Sequence, residues 1–115
     1  MKRSTLKNKA DKLWGKRIHE RDQSCVVCGS EPAQAHHIIG RKNYRLRWEL
    51  DNGVLLCPKH HTFDTKFSAH QTPTLFGEWF EENYPERHQF LRDHVNEFWD
   101  KDYEKVIGGL NEPST

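Results

Sequence analysis

A chain of 115 residues with 34% apolar and 30% charged residues has room for one domain with a thin core, and cores this lean are commonly supplemented by a metal or a disulfide. No apolar run approaches the roughly 20 residues of a membrane span, and no apolar segment follows the basic start as it would in a signal peptide. A membrane-spanning class is thereby excluded, and a soluble cytoplasmic protein, bacterial or phage-encoded, is expected. The formal net charge of +1 conceals an asymmetry: residues 1–66 carry 14 Lys/Arg against 7 Asp/Glu, whereas residues 67–115 carry 4 against 10. A basic first half suits a polyanion such as nucleic acid, or is a solvated surface balanced by the acidic second half.

In chain order, residues 5–21 read as a helix. Leu6, Ala10, Leu13, Trp14, Arg17 and Ile18 recur at helical spacing, and Ser4 or Thr5 can cap the start. Lys9, Lys12 and Lys16 form a basic stripe on another face, either a solvated surface or a phosphate contact. The run "CVVCG" at 25–29 reads as a knuckle that turns two sulfurs toward one point. Residues 33–39 and the apolar "GVLLC" at 53–57 suit two short strands. The loop between them carries Arg41, Lys42, Arg45 and Arg47, together with Tyr44 and Trp48, the latter expected to pack. Pro58 is placed to open a helix through Phe67. Thr72-Pro73 opens a second helix to about Asn83, Pro85 breaks it, and 86–105 reads as a last helix with Leu91, Val95, Phe98 and Trp99 on one stripe. The remainder, 107–115, reads as a flexible tail. The expected organisation is one domain over 1–106, with its core at 25–67 and C-terminal helices within 73–105.

Two clusters carry chemistry. The first is Cys25-x2-Cys28, then 28 residues, then Cys57-x2-His60. Zinc favours four thiolate or imidazole ligands, and a two-residue spacer lets a knuckle present two at once. All three cysteines are used, and a redox role for the CxxC lacks its βαβ context. The second is what remains: His36, His37, Asn52 and His61. Neighbouring helical residues point about 100° apart, so His60 can face the zinc while His61 faces away. In a regular strand His36 and His37 would point to opposite faces. For both to serve one site, the strand must end or bulge there.

The combination "AHHI…DNGVLLCPKHH" with its flanking CxxC resembles the HNH endonucleases over residues 25 to about 66. The "W-x-L-D-N-G" framing and "FGEWFEENYP" are similar to phage and prophage members. The resemblance implies an α+β fold, a ββα-metal core of two strands and a helix around one divalent ion, here with the zinc knuckle and with N- and C-terminal helices packed around it. It implies hydrolysis of DNA phosphodiester bonds to 5′-phosphate and 3′-hydroxyl ends. His37 matches the general base, Asn52 the asparagine that braces the loop, His36 and His61 the ligands of the catalytic ion, and Cys25, Cys28, Cys57 and His60 the structural zinc site. The catalytic cofactor implied is Mg²⁺ or Mn²⁺. With His36 where Asp is common, the site is softer and similar to the colicin-type nucleases, which brings in Ni²⁺ or Co²⁺. Those enzymes carry a further His one turn after the residue matching His61. Thr65 stands there, and Asp64 is the nearby alternative. The fourth zinc position, more often Cys in the family, is His60.

The implied partner is duplex DNA with weak sequence specificity, held through Lys9, Lys12, Lys16, Arg41, Lys42, Arg45 and Arg47; no membrane partner is expected. Oligomeric state, base specificity and the choice between nicking and double-strand cleavage are not written in the sequence. The alternative function is a zinc-stabilised nucleic-acid-binding module without catalysis, which leaves His36, His37 and His61 without a purpose.

Overall fold

The computed structural model describes residues 2–111, so the last four residues of the expected tail lie outside the described residues. The centre is a two-stranded antiparallel ribbon, β1 (Gln34–His37) and β2 (Gly53–Leu56), in the register His36↔Val54 and His37↔Gly53. Every residue of β2 is buried, which explains its unbroken apolar run. A strand covered on both faces has no polar side to alternate with.

The two faces serve different clusters. Val54 and Leu56 pack with Cys25, Leu46, Cys57, Phe76, Phe80 and Leu91. Leu55, on the opposite face, packs with Ala10, Trp14, Ile18, Trp48, Tyr103, Ile107 and Leu110. The second face is covered by α1 (Arg3–Asp22), whose Ala10, Trp14 and Ile18 recur every fourth residue and so form one stripe. α1 lacks the expected Ser or Thr cap. Its N-cap is Lys2, without a side-chain hydrogen bond.

After β2 the expected helix 58–67 is a single wide turn, Lys59–Phe63, in which the Asp64 N–H donates to the Lys59 carbonyl at 2.9 Å. The helix cannot continue because Asp64 is extended and its Oδ1 accepts the Lys66 N–H at 2.9 Å, closing a local turn. The chain then folds back: the Ala69 and His70 N–H groups donate to the carbonyls of His60 and His61 at 2.8 and 3.0 Å.

α2 (Pro73–Asn83) has the bounds its prolines suggest, and α3 (Pro85–His94) starts on the proline that ends it. The single helix expected over 86–105 is two. α3 stops at His94, and α4 (Tyr103–Asn111) begins after a turn in which the Asp102 Oδ1 accepts the Lys105 N–H at 3.0 Å and Lys101 takes a left-handed φ of 61°. The residues expected to fray from 107 are helical to Asn111, with Ile107 and Leu110 buried against α1. Phe98, expected on the packing stripe, is 99% exposed because it lies in the irregular connection between the two helices. No helix among the described residues is long and apolar enough to cross a membrane. The molecule is a small α+β fold consistent with a ββα-metal core.

Candidate metal centres and active site

The knuckle forms because Gly29 adopts φ 76°, a left-handed conformation that suits glycine. Its N–H donates to the Cys25 carbonyl at 2.8 Å, and the Cys25 N–H donates to the Ser30 carbonyl at 3.1 Å. The Val26 N–H donates to the Leu55 carbonyl at 3.0 Å and ties the knuckle to β2. The wide turn brings in the rest. Cys28 and Cys57 Sγ are 3.7 Å apart, and His60 Nδ1 lies 3.4 Å from Cys57 Sγ and 3.8 Å from Cys25 Sγ.

A zinc tetrahedron with Zn–S about 2.3 Å and Zn–N about 2.0 Å has edges of roughly 3.5–3.8 Å. These three separations are close to such edges, and the Cys25, Cys28, Cys57 and His60 cluster fits a zinc site. Cys28 is readied for that role. The Ser30 hydroxyl and backbone bring its thiol down to about 6, whereas burial pushes the Cys57 thiol up.

A second cluster lies on the other side of the turn. His36, His61 and His70 bring their ring nitrogens within 4.8 Å of one another, with His61 Nε2 and His70 Nε2 3.2 Å apart. His36 sits edge-on to both rings and to Phe76. Burial, and then the neighbouring His61, His70 and His37, push the His36 imidazole down to about 3. Burial likewise lowers His61, with His70 adding. Neutral imidazole is the form that ligates metals, so the donor set fits a divalent ion, and the ligand chemistry favours the later transition metals.

His70 is the residue the sequence reading missed. It reaches His61 through the fold-back at 69–70, a route without helical or strand spacing. Asp64, the expected alternative ligand, stays outside this cluster and caps the Lys66 N–H.

His37 is the last residue of β1, and the ladder stays regular through it, without a bulge. β1 ends at His37, yet the rings leave opposite faces as in any regular strand, His36 toward Phe76 and His37 onto Trp14, so the expected convergence of the doublet is not seen in the ring directions. The His37 and Trp14 rings stack with centroids 3.9 Å apart and planes 10° from parallel. His37 Nε2 lies 2.8 Å from the Arg47 carbonyl. A carbonyl only accepts, so Nε2 carries the proton in the neutral ring and Nδ1 keeps its lone pair. Burial lowers the His37 pKa. The bond to Arg47 opposes this, the Arg41 and Arg47 charges lower it further, and Asp11 opposes them.

Asn52, fully buried, fixes the loop that supplies this carbonyl. Its Oδ1 accepts the Ile39 N–H at 2.7 Å, and its Nδ2 donates to the Ile39 and Leu46 carbonyls at 3.0 and 3.1 Å. Gly53 follows because a Cβ there would collide with Trp14 Cζ2 and lie 2.9 Å from Ile18 Cδ1. The absence of a side chain lets Trp14 lie against the ribbon beside His37.

The basic residues divide into two groups. Lys9, Lys12, Lys16, Arg41 and Lys42 are exposed. Arg47, expected to contact phosphate, is instead 6% exposed and engaged internally. Its Nε and Nη2 donate to Asp11 Oδ1 and Oδ2 at 3.0 and 2.8 Å, and its Nη1 to the Arg41 carbonyl at 3.2 Å. Arg45 is also paired, with Glu49 at 2.7 Å and Glu97 at 3.0 Å. Burial would raise the Asp11 carboxyl, but donation by Arg47 and Trp48, with the Arg47 and Arg41 charges, outweighs it and holds Asp11 below its ordinary value.

Compared with known proteins, residues 25–66 match the family described as HNH endonuclease. No curated protein and no solved structure matches the chain. The matched residues supply the knuckle, β1, β2 and the wide turn, and the family implies a nucleic-acid substrate. The segment that builds the zinc-type cluster and carries the histidine doublet is thus the one that is similar to the HNH endonuclease family.

Proposed function

We infer that the protein is a divalent-metal-dependent endonuclease that hydrolyses phosphodiester bonds in duplex DNA, with His37 as general base. The observation that carries this reading is His37 itself. Its Nε2 is tied to the Arg47 carbonyl, its ring is clamped on Trp14, and it follows directly in sequence on His36, a member of the three-histidine cluster. An imidazole that served only packing would not need its tautomer fixed in this way.

In this reading a backbone phosphate lies across the end of β1. His36, His61 and His70 hold the divalent ion, which when bound supplies Lewis-acid neutralisation of charge on the phosphate and leaving oxygen. His37 takes a proton from the attacking water at Nδ1, and the imidazolium so formed is stabilised by the Arg47 carbonyl at Nε2. Asn52 holds the loop so that this carbonyl does not move. Lys9, Lys12, Lys16, Arg41 and Lys42 contact the DNA backbone through salt-sensitive phosphate pairs. Cys25, Cys28, Cys57 and His60 hold zinc, which ties the knuckle to the wide turn carrying His61.

The test is supercoiled plasmid incubated with zinc-loaded protein in Mg²⁺, Mn²⁺, Co²⁺, Ni²⁺ or EDTA, beside His37→Ala. Cleavage that needs added metal and disappears in a folded His37→Ala protein supports the reading. If no metal supports cleavage by the folded wild-type protein, the reading fails.

A further inference from the structure

We propose that α1 completes the active site and that its Asp11 is a positioning residue, aiming His37 through Arg47. This deepens the nuclease reading and rests on it for its kinetic part. Neither Asp11 nor Trp14 lies in the family-matched segment 25–66, yet both act on the residue read as the base.

The argument begins at His37, whose orientation needs two restraints. Trp14 supplies the plane of the ring, stacked at 3.9 Å. The Arg47 carbonyl fixes rotation within that plane by accepting Nε2–H at 2.8 Å. That carbonyl lies in the long connection between β1 and β2, so its position must be set from outside. On one side Asn52 holds the adjacent Leu46 carbonyl at 3.1 Å. On the other side Asp11 holds the Arg47 side chain by a fork of two bonds, at 3.0 and 2.8 Å, and also accepts Trp48 Nε1–H at 2.8 Å. Asp11 thus grips two consecutive residues, 47 and 48, with one carboxylate. A bidentate Arg–carboxylate pair restricts direction as well as distance. Of the cations Asp11 receives, Arg41 is the looser, at 3.4 Å and with its side chain 63% exposed.

A purely structural ion pair would stabilise the fold without regard to His37. Here the same arginine that is gripped supplies the carbonyl that selects the tautomer. Release of the side chain frees the peptide, and His37 then loses the partner that reserves Nδ1 for the water.

The test uses the full zinc-loaded chain with Asp11→Ala and the double variant Asp11→Ala/Arg47→Met, which leaves no unpaired buried cation. Nitrogen-15 and carbon-13 spectra of the imidazoles, assigned with His37→Ala, report the tautomer of neutral His37. Plasmid cleavage reports kcat and KM. The wild-type protein should show a single Nε2–H form. The folded double variant should show mixed tautomers, with kcat lower by roughly 10–100-fold, the range expected for a displaced catalytic group, and KM little changed. A wild-type His37 protonated at Nδ1 overturns the proposal whatever the variants do. So does a folded variant that keeps a single Nε2–H form and the wild-type kcat. If the wild-type protein cleaves nothing, the nuclease reading fails, while the tautomer spectra still decide whether Asp11 positions His37.

Discussion

Replacing Asn52 with alanine should loosen the loop at 38–51 more than any other single polar truncation near the site. The side chain is fully buried and meets three backbone groups: the Ile39 N–H at 2.7 Å, the Ile39 carbonyl at 3.0 Å and the Leu46 carbonyl at 3.1 Å. Orphaning three such groups, at about 1–2 kcal/mol each where water enters poorly, predicts a loss of roughly 3–6 kcal/mol. Asn52→Asp sharpens the test because it has almost the same shape. It keeps the acceptor for the Ile39 N–H but sets a charged acceptor against the Ile39 and Leu46 carbonyls, so it should destabilise at least as much as alanine. Urea denaturation of zinc-loaded proteins, read by tryptophan fluorescence, gives the differences directly. An Asn52→Asp protein within about 1 kcal/mol of wild type, the net value of one ordinary hydrogen bond, would refute the bracing role.

Three further outcomes follow from the same geometry. Chelation of zinc, or Cys28→Ala, should abolish cooperative thermal unfolding, since structural zinc contributes on the order of 10 kcal/mol and the ligands join the knuckle to the wide turn; an unchanged melting curve after verified zinc removal would contradict this. Gly53→Ala should cost about 1–3 kcal/mol in urea, the range for overpacking, because Trp14 and Ile18 occupy the space of the new methyl group, and the Trp14–His37 stack should shift with it. In protein without added divalent ion, stability should fall as pH drops from about 6.5 toward 3. Unfolded His36 takes up a proton in that window, whereas the folded residue, held at about 3 by burial, resists it. His36→Gln should flatten part of that slope in urea midpoints between pH 7 and pH 4, and an unaltered slope would rule His36 out as its source.

What could be read from the sequence was whatever local spacing encodes. Two residues between Cys25 and Cys28, and between Cys57 and His60, place ligands in one turn, so the zinc-type cluster was legible before any coordinates. The unbroken "GVLL" announced an apolar strand, Pro73 marked a helix start and Pro85 marked the end of that helix. Features made by long-range packing were not legible. His70 arrives through a chain reversal in which the Ala69 and His70 N–H groups bond the His60 and His61 carbonyls, so no helical or strand spacing announces it. Arg47 looked like a loop cation because its partner Asp11 is 36 residues away, on a helix whose polar residues read as solvated. Trp14 stood on an apolar stripe and was legible as core. That its ring also carries His37 depends on the bare Cα of Gly53. The break between α3 and α4 did have a local signal, the Asp102 cap, which the apolar stripe through Phe98 and Trp99 obscured.

The measurement that bears most directly on the account is plasmid cleavage as a function of divalent-ion equivalents, starting from protein carrying one zinc per chain. Two separate centres, a structural zinc site and a catalytic ion site, predict no cleavage at the first equivalent. Cleavage should then rise with a second ion, and that rise should be lost in His61→Ala while the zinc content stays at one. Cleavage at full rate with a single zinc, or none at saturation with any second ion, would contradict it.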